Sequence, residues 1–163
     1  MGEILPGIVE FRHMLHQIPE LAGREFETSK LIRKRLAELG IEPLKPFLET
    51  DVVAILPGTK GKGKCVALRA DIDALSLDEA TGKPYASRHA GLMHACGHDG
   101  HAAMLMGVAE ILSSRRNEFK GCVRLVFQPG EENAALGREL VQANALENPK
   151  TDFVTALHGM PGL

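Results

Sequence analysis

The segment "CVRLVFQPGEE" (residues 122–132) joins a run of apolar residues to two adjacent glutamates. Its first seven residues are rich in β-branched and aromatic side chains, a composition that favours a β-strand over residues 122–128. Pro129 and Gly130 should end that strand, because proline lacks the N–H that a sheet ladder needs and glycine favours a turn. The segment therefore predicts a strand whose carboxyl end presents the glutamate pair.

Three other segments also have the composition of strands. They are "DVVAIL" (51–56), in which β-branched residues are frequent, "CVALRA" (65–70) and "FVTALH" (153–158). The segment "PGTKGKGK" (57–64) between the first two has the proline and glycine content of a turn or short loop. We therefore expect the first two of these strands to pair as a hairpin.

Apolar residues repeat at helical spacing in the N-terminal part of the chain. Ile4, Ile8 and Phe11 recur at intervals of three and four, which predicts an amphipathic helix over residues 3–17. A second helix is expected at about 25–39. Both should bury one face against the rest of the fold.

Two more helices are predicted in the second half. Asp99 has a side chain suited to a helix N-cap, and the sequence after it is apolar on nearly every side as far as Ser114. That helix should therefore be buried. A fourth helix is expected at about 134–146.

Strands that alternate with helices indicate a layered α/β fold. The early hairpin would make the sheet mixed. Ligands of such folds bind beyond the carboxyl ends of the strands. The polar candidates lie at those ends: Asp71 and Asp73 after the second strand, Glu131 and Glu132 after the third, and His158 at the end of the fourth.

The segment "MHACGHDGH" (93–101) concentrates possible metal ligands just before the third predicted helix. Cys96, His98 and His101 would supply thiolate and imidazole groups, which together with carboxylates suit zinc or a similar divalent ion. Only one residue separates Cys96 from His98, whereas structural zinc sites usually leave roughly two to four. The short spacing favours a catalytic site assembled from several loops.

The glutamate pair could divide two tasks, with one carboxylate binding metal and the other acting as a general base toward water. An alternative hypothesis makes Cys96 a nucleophile and His98 or His101 its base. This hypothesis gives Glu131 and Glu132 no role in the reaction. It also places thiol and imidazole so close in sequence that a third group would be needed to orient them.

Other histidines and cysteines carry weaker signals. His13 and His16 lie three apart on the first predicted helix, a spacing that permits metal binding but favours two residues on the helix surface. Cys65 and Cys122 begin strands, and we expect them to contribute to packing.

The composition limits the possible partners. The 163 residues carry a formal net charge of −2, so no excess of positive charge favours nucleic acid or an anionic membrane. We expect no signal peptide and no membrane span, because no basic start precedes an apolar core and no run approaches about 20 apolar residues. Three widely spaced cysteines suggest reduced thiols and hence a cytoplasmic protein.

Five motifs, in order, resemble the amidohydrolases of metallopeptidase family 20, which include hippurate hydrolase, N-acyl amino acid amidohydrolases and the plant indole-acetyl amino acid hydrolases. The motifs are "HQIPEL" (16–21), "ALRADIDAL" (67–75), "MHACGHDGHAAMLMG" (93–107), "VFQPGEE" (126–132) and "LHGMPGL" (157–163). The resemblance runs nearly from end to end. It implies a three-layer α/β/α catalytic domain with a mixed sheet, similar to that of zinc peptidases.

The same resemblance implies a set of metal ligands. Cys96, His98, Glu132 and His158 would bind two divalent metal ions, namely zinc, manganese or nickel, with the thiolate shared between the two. Glu131 would be the general base that takes the proton of the attacking water and returns it to the leaving amine.

Further residues would support this chemistry. Asp73 is assigned with Glu131 to the catalytic centre, as a carboxylate that orients a ligand. Asp71, Asp99 and His101 would lie behind the ligands and orient them.

The implied reaction is hydrolysis of the amide bond of a small N-acyl amino acid. Family members are considerably longer, so residues 1–163 would form the N-terminal part of the catalytic domain. An inserted dimerisation and lid domain would be absent, as would a C-terminal part with a last histidine ligand. We expect either a homo-oligomer or a chain that needs that missing part.

The missing part of the domain and one departure from the family pattern leave the function of this chain open. One alternative is a remnant that folds and at most binds metal. The segment "NAALGRE" (133–139) also departs from the glycine-rich turn that follows the glutamates in relatives, which would reshape the edge of the substrate site.

Overall fold

The computed structural model describes residues 4–159, which form four α-helices, one 3-10 helix and four β-strands. In chain order these are α1 (Leu5–His16), α2 (Phe26–Glu38), β1 (Val52–Pro57), β2 (Cys65–Asp71), α3 (His98–Ser113), a 3-10 helix (Arg116–Glu118), β3 (Cys122–Gln128), α4 (Leu136–Gln142) and β4 (Phe153–Ala156). Each predicted strand and helix is present. The last two elements are shorter than predicted. Of the motif at 157–163, residues 160–163 lie outside the described range.

The strands form one mixed sheet in the order β1-β3-β2-β4. β2 is parallel to both β3 and β4, whereas β1 is antiparallel to β3. The predicted hairpin is therefore wrong, because β3 lies between β1 and β2. The loop joining β1 to β2 instead contacts the segment before β3, where Gly58 N–H donates to Gly121 O at 2.9 Å and Cys122 N–H donates to Lys64 O at 3.0 Å.

Helices cover both faces of the sheet. On one face α3, with α1 and α2, encloses a cluster of fully buried side chains that includes Leu15, Ile32 and Phe127. On the other face, α4 and residues 44–48 pack on a smaller cluster. This is the expected three-layer α/β/α arrangement. Within the described range, none of the helices is long and apolar enough to cross a bilayer.

α3 begins at His98, one residue before the predicted N-cap. Gly97 adopts a φ of 84°, in the left-handed region that glycine accepts readily. Asp99 lies inside the first turn, and its Oδ2 accepts hydrogen bonds from His16 Nδ1 (2.8 Å) and Arg12 Nε (3.0 Å). The prediction that Asp99 is the N-cap of α3 is wrong, because its carboxylate accepts hydrogen bonds from Arg12 and His16 on α1.

Cys65 and Cys122 begin β2 and β3 and are neighbours in the register of the two strands. Burial, followed by a hydrogen bond with Cys65, raises the pKa of the Cys122 thiol to about 11. So weak an acid stays protonated at neutral pH, as expected of a cysteine that contributes to packing.

Candidate metal centre

The parallel alignment of β2, β3 and β4 brings three loops to one edge of the sheet. Asp71 ends β2, the glutamate pair follows β3, and His158 comes shortly after β4. Cys96, in the turn before α3, and His98, the first residue of α3, complete the group. At this edge Cys96 Sγ lies 3.6 Å from His158 Nε2, and His98 Nε2 lies 3.8 Å from Glu132 Oε1.

His98 is fully buried, and only one of its ring nitrogens has a hydrogen-bond partner within residues 4–159. Its Nδ1 lies 3.1 Å from Asp73 Oδ1, and because an ionised carboxylate only accepts, the hydrogen resides on Nδ1. His98 Nε2 and Glu132 Oε1 are both buried without a hydrogen-bond partner among residues 4–159. Burial alone would lower the pKa of His98, but the carboxylates of Asp73, Asp71 and Glu132 raise it above its ordinary value.

Asp73 fixes two parts of the site at once. Its Oδ1 contacts His98, and its Oδ2 accepts a hydrogen bond from the Glu132 N–H at 2.9 Å. Burial would raise the pKa of Asp73, but these hydrogen bonds lower it below its ordinary value. An ionised Asp73 therefore orients both the imidazole and the turn that carries the glutamates.

Both ring nitrogens of His101 are already engaged. Nδ1 lies 2.6 Å from Asp71 Oδ1, and Nε2 accepts a hydrogen bond from the Gly159 N–H at 2.9 Å. Asp71 in turn accepts from Arg69 Nη1 at 2.7 Å. His101 and Asp71 thus support the loop that carries His158.

Cys96 is half-buried among acidic groups. Burial, a hydrogen bond with Glu132 and the charges of Asp71 and Glu131 raise the pKa of the Cys96 thiol to about 11. A cation at this position would relieve the repulsion between these groups and favour the thiolate. The surroundings of Cys96 therefore suit a metal ligand.

Two sets of residues could each surround a divalent ion, because the candidate ligand atoms within a set all lie within 4.8 Å of one another. One group is Cys96, His98 and Glu132; the other is Asp71, His98, His101 and His158. An ion bound by His98 Nε2 and Glu132 Oε1 would satisfy two buried polar atoms that otherwise lack a partner, which is a costly state. Thiolate, imidazole and carboxylate donors favour zinc and other transition metals over calcium or magnesium.

Asp99 and His16 form a separate buried contact between α3 and α1. His16 Nε2 also lies 3.3 Å from Glu79 Oε1. The prediction that His13 and His16 form a surface pair is wrong for His16, which is buried. The His13 ring stacks on Tyr85 with 3.7 Å between the ring centres.

Glu25 is fully buried beside the glutamate turn, and no sequence signal marks it. Its Oε2 accepts from Thr50 Oγ1 at 2.7 Å, and its Oε1 accepts from the Gly130 N–H at 2.8 Å. A glutamate at the start of a helix is ordinarily an exposed residue that complements the helix dipole. The tertiary contacts with Thr50 and with Gly130, which is 105 residues away, distinguish Glu25 from such a residue.

Known proteins match this chain over most of its length. The profile of Peptidase family M20/M25/M40 matches residues 67–163. N-acetyl-L-cysteine deacetylase of Bacillus subtilis is 45% identical over 156 residues, which are 96% of this chain and 37% of that protein. IAA-amino acid hydrolase ILR1-like 2 of Arabidopsis thaliana is 43% identical over 151 residues, 93% of this chain and 34% of that protein. The chain thus spans little more than a third of the length of these two relatives.

Solved structures share the fold. Bacillus subtilis YXEP, described as a dinuclear metal binding peptidase from the M20 family, superposes with a TM-score of 0.94 at 43% identity, over 100% of this chain and 45% of that one. Human carnosine dipeptidase 1 has the same fold at 12% identity, with a TM-score of 0.71 over 98% of this chain and 40% of that one. Because the family profile covers more than half of the sequence, this chain belongs to peptidase family M20/M25/M40.

Proposed function

We propose that this chain is part of a metal-dependent amidohydrolase that cleaves the amide bond of small N-acyl amino acids. The two relatives named above support this class, since both are named for amino acids that carry an acyl group. Hippurate belongs to the same class and serves as a test substrate. Three free cysteines support a reducing, cytoplasmic location. Neither nucleic acid nor a membrane is proposed as a partner.

One observation carries the metal-dependent part of the proposal. The buried His98 imidazole is oriented by Asp73 at Nδ1, and its Nε2 lies beside a thiol and the Glu132 Oε1; in the described part of the chain neither Nε2 nor Oε1 has a hydrogen-bond partner. Histidines that bind metals in proteins almost always have such a partner at the other ring nitrogen. We propose two ions of zinc, manganese or nickel, held by Cys96, His98, Glu132 and His158.

The proposed chemistry divides between metal and protein. When bound, the ions would supply Lewis-acid polarisation of the scissile carbonyl. Glu131 takes the proton of the attacking water and returns it to the leaving amine. Asp73 accepts the Glu132 N–H and so fixes the turn that carries both glutamates, which lets adjacent carboxylates serve different tasks. His101 fixes the position of the loop that carries His158.

Metal content per chain is the first test. The chain, purified without chelators and re-equilibrated with zinc or manganese, should retain one ion tightly and a second more weakly. The reason is that four protein ligands must serve two ions, whereas catalytic zinc ions ordinarily use about three protein ligands each. Elemental analysis after dialysis measures the content, with a chelator-treated sample as control. A folded chain that retains no ion, or turnover that persists after chelation, would contradict the proposal.

Replacing Asp73 with asparagine should weaken zinc binding by about 10–100-fold, the usual effect of removing a carboxylate that orients a histidine ligand. The asparagine amide can donate as well as accept, so it no longer fixes the hydrogen of His98 on Nδ1. Competition with a chromophoric chelator measures the affinity. Asp78→Asn is the matched control, because Asp78 accepts only from the Gly91 N–H on the surface (2.9 Å). Equal affinity in Asp73→Asn and wild type would exclude the orienting role.

A second candidate function, a cysteine hydrolase, is favoured by one contact, the 3.6 Å between Cys96 Sγ and His158 Nε2. The raised pKa of Cys96 opposes it, because nucleophilic cysteines have lowered pKa values near positive groups. Cys96→Ser discriminates between the two functions. If the protein is a thiol enzyme, Cys96→Ser should abolish turnover, and chelators should not inhibit the wild-type chain. If it is a metal-dependent enzyme, Cys96→Ser should retain partial activity that chelators abolish.

We also propose that this chain self-associates through the edge of its sheet. All four residues of β4 are exposed, and they include the apolar Phe153 and Val154. Val154→Lys should shift the chain towards the monomer, because a charge on an edge strand opposes pairing with another strand. Sedimentation velocity at several concentrations measures the shift. Val141→Lys, at an exposed valine on α4, is the control, and equal association in both variants would contradict the edge contact.

A further inference from the structure

Glu25 is a fully buried carboxylate that no step of the proposed chemistry uses. It lies at the start of α2, but its side chain makes no capping hydrogen bond to that helix and turns into the interior. Thr50 Oγ1 and the Gly130 N–H donate to it. These donors are neutral, and burial raises the pKa of Glu25 above its ordinary value despite them.

Burying the Glu25 carboxylate among neutral donors costs free energy. We look for a compensating gain in its contact with Gly130. Gly130 has a φ of 57°, and a Cβ placed on it would lie 2.6 Å from Leu136 Cδ1. Its carbonyl accepts a hydrogen bond from the Leu136 N–H at 3.0 Å. With Glu25 on the N–H, both backbone polar atoms of Gly130 have a fixed partner.

The glutamate turn is thus anchored on both sides by buried carboxylates from other parts of the chain. Glu25 accepts the Gly130 N–H at 2.8 Å, and Asp73 accepts the Glu132 N–H at 2.9 Å. Glu131 lies between these two anchors. A peptide rotation at Gly130 would change the direction of the Glu131 side chain even if Asp73 kept its contacts.

We propose that Glu25 is a positioning residue for the Glu131–Glu132 turn and acts through the Gly130 peptide group. It touches neither substrate nor metal. The proposal depends on the proposed function only for the roles of the two glutamates, and the anchoring itself can be measured without metal.

Three variants separate positioning from general support of the core. Glu25→Leu removes the acceptor for Gly130, whereas Glu25→Gln keeps an amide oxygen that can accept the same N–H. Thr50→Val removes the other side-chain hydrogen bond of Glu25 and leaves the Gly130 contact in place. If Glu25→Leu does not fold, Glu25→Asp replaces it, because a carboxylate one methylene shorter cannot reach both Thr50 and Gly130.

The first readout is amide hydrogen exchange of the metal-free chain, followed residue by residue by NMR. In Glu25→Leu the amide of Gly130 should exchange about tenfold faster or more, since its hydrogen bond to a charged acceptor is lost, whereas the Glu132 amide keeps its acceptor Asp73. Amides in the centre of β2 should keep their protection. Glu25→Gln and Thr50→Val should leave the turn close to wild type.

The second readout is zinc affinity, which Glu25→Leu should lower by about 10–100-fold, as loss of an outer contact to a ligand commonly does. Glu25→Gln should restore it. Exchange at Gly130 that is no faster in Glu25→Leu than in Thr50→Val would overturn the positioning role. A wild-type chain that binds no zinc would overturn the proposed function, and the exchange data would still decide the role of Glu25.

Discussion

A chain with Glu131 replaced by glutamine should retain its metal and lose hydrolysis of N-acyl amino acids by about 10²–10⁴-fold, the usual contribution of a general base. Glutamine matches glutamate in size but cannot take a proton from water. The substitution leaves the backbone of the turn unchanged, so that the Glu132 N–H keeps its hydrogen bond to Asp73 Oδ2 at 2.9 Å. Release of free amino acid from N-acetyl-L-cysteine or hippurate measures the rate, and elemental analysis measures the metal.

The neighbouring Glu132 provides a matched control for the same chemical change. Glu132→Gln removes the charge of a proposed ligand, so metal content and rate should fall together. Retention of most activity by a metal-loaded Glu131→Gln chain would exclude Glu131 as the base, and the reverse pattern in the two variants would exchange their roles. A wild-type chain that binds metal without turnover would indicate the alternative of a folded, inactive fragment.

The positions of strands and helices are predictable here because they depend on local composition and periodicity. Strand pairing is not, and the predicted hairpin shows why. The loop at 57–64 has turn residues, but its backbone partners lie at residues 116–122, more than fifty positions later. The burial of every residue from Arg124 to Gln128 is typical of a central strand. The charge of Arg124 obscures that pattern in the sequence.

Much of the candidate site follows from one rule, that parallel strands deliver their carboxyl ends to the same edge. The rule brings together Asp71, the glutamate pair and His158 without any knowledge of side-chain contacts. It does not say which carboxylate contacts which imidazole. Asp99 sits in the same motif as His98, yet its partner His16 lies 83 residues earlier.

Residues that support the site from a distance have the weakest sequence signals. Glu25 resembles an ordinary helix-start glutamate, and its role depends on burial that only the packing of α2 against the glutamate turn creates. His101 has a visible signal, the motif around Cys96, but its acceptor contact is with a backbone N–H at Gly159. Backbone partners leave no trace in side-chain patterns, so neither contact could be predicted.

Arg124 combines complete burial with three hydrogen bonds to backbone carbonyls. Its Nη1 donates to Ala145 O at 2.7 Å, and its Nη2 donates to Glu147 O at 2.8 Å and Pro149 O at 2.6 Å. Within the described residues, no carboxylate forms an ion pair with it. The guanidinium on β3 therefore fixes the segment that connects α4 to β4.

Arg124→Met should lower the free energy of unfolding by about 3 kcal/mol, because methionine fills similar space but leaves three carbonyls without a charged donor. For a chain of this size that loss corresponds to a fall in Tm of about 6–12 °C. Urea unfolding followed by circular dichroism measures the loss in free energy of unfolding. Arg116→Met is the matched control, since half-buried Arg116 makes one solvent-exposed hydrogen bond to Gly40 O (3.0 Å) and should change stability by about 1 kcal/mol or less. Equal losses in the two variants would mean that water replaces the Arg124 contacts and that this arginine contributes only volume to the core.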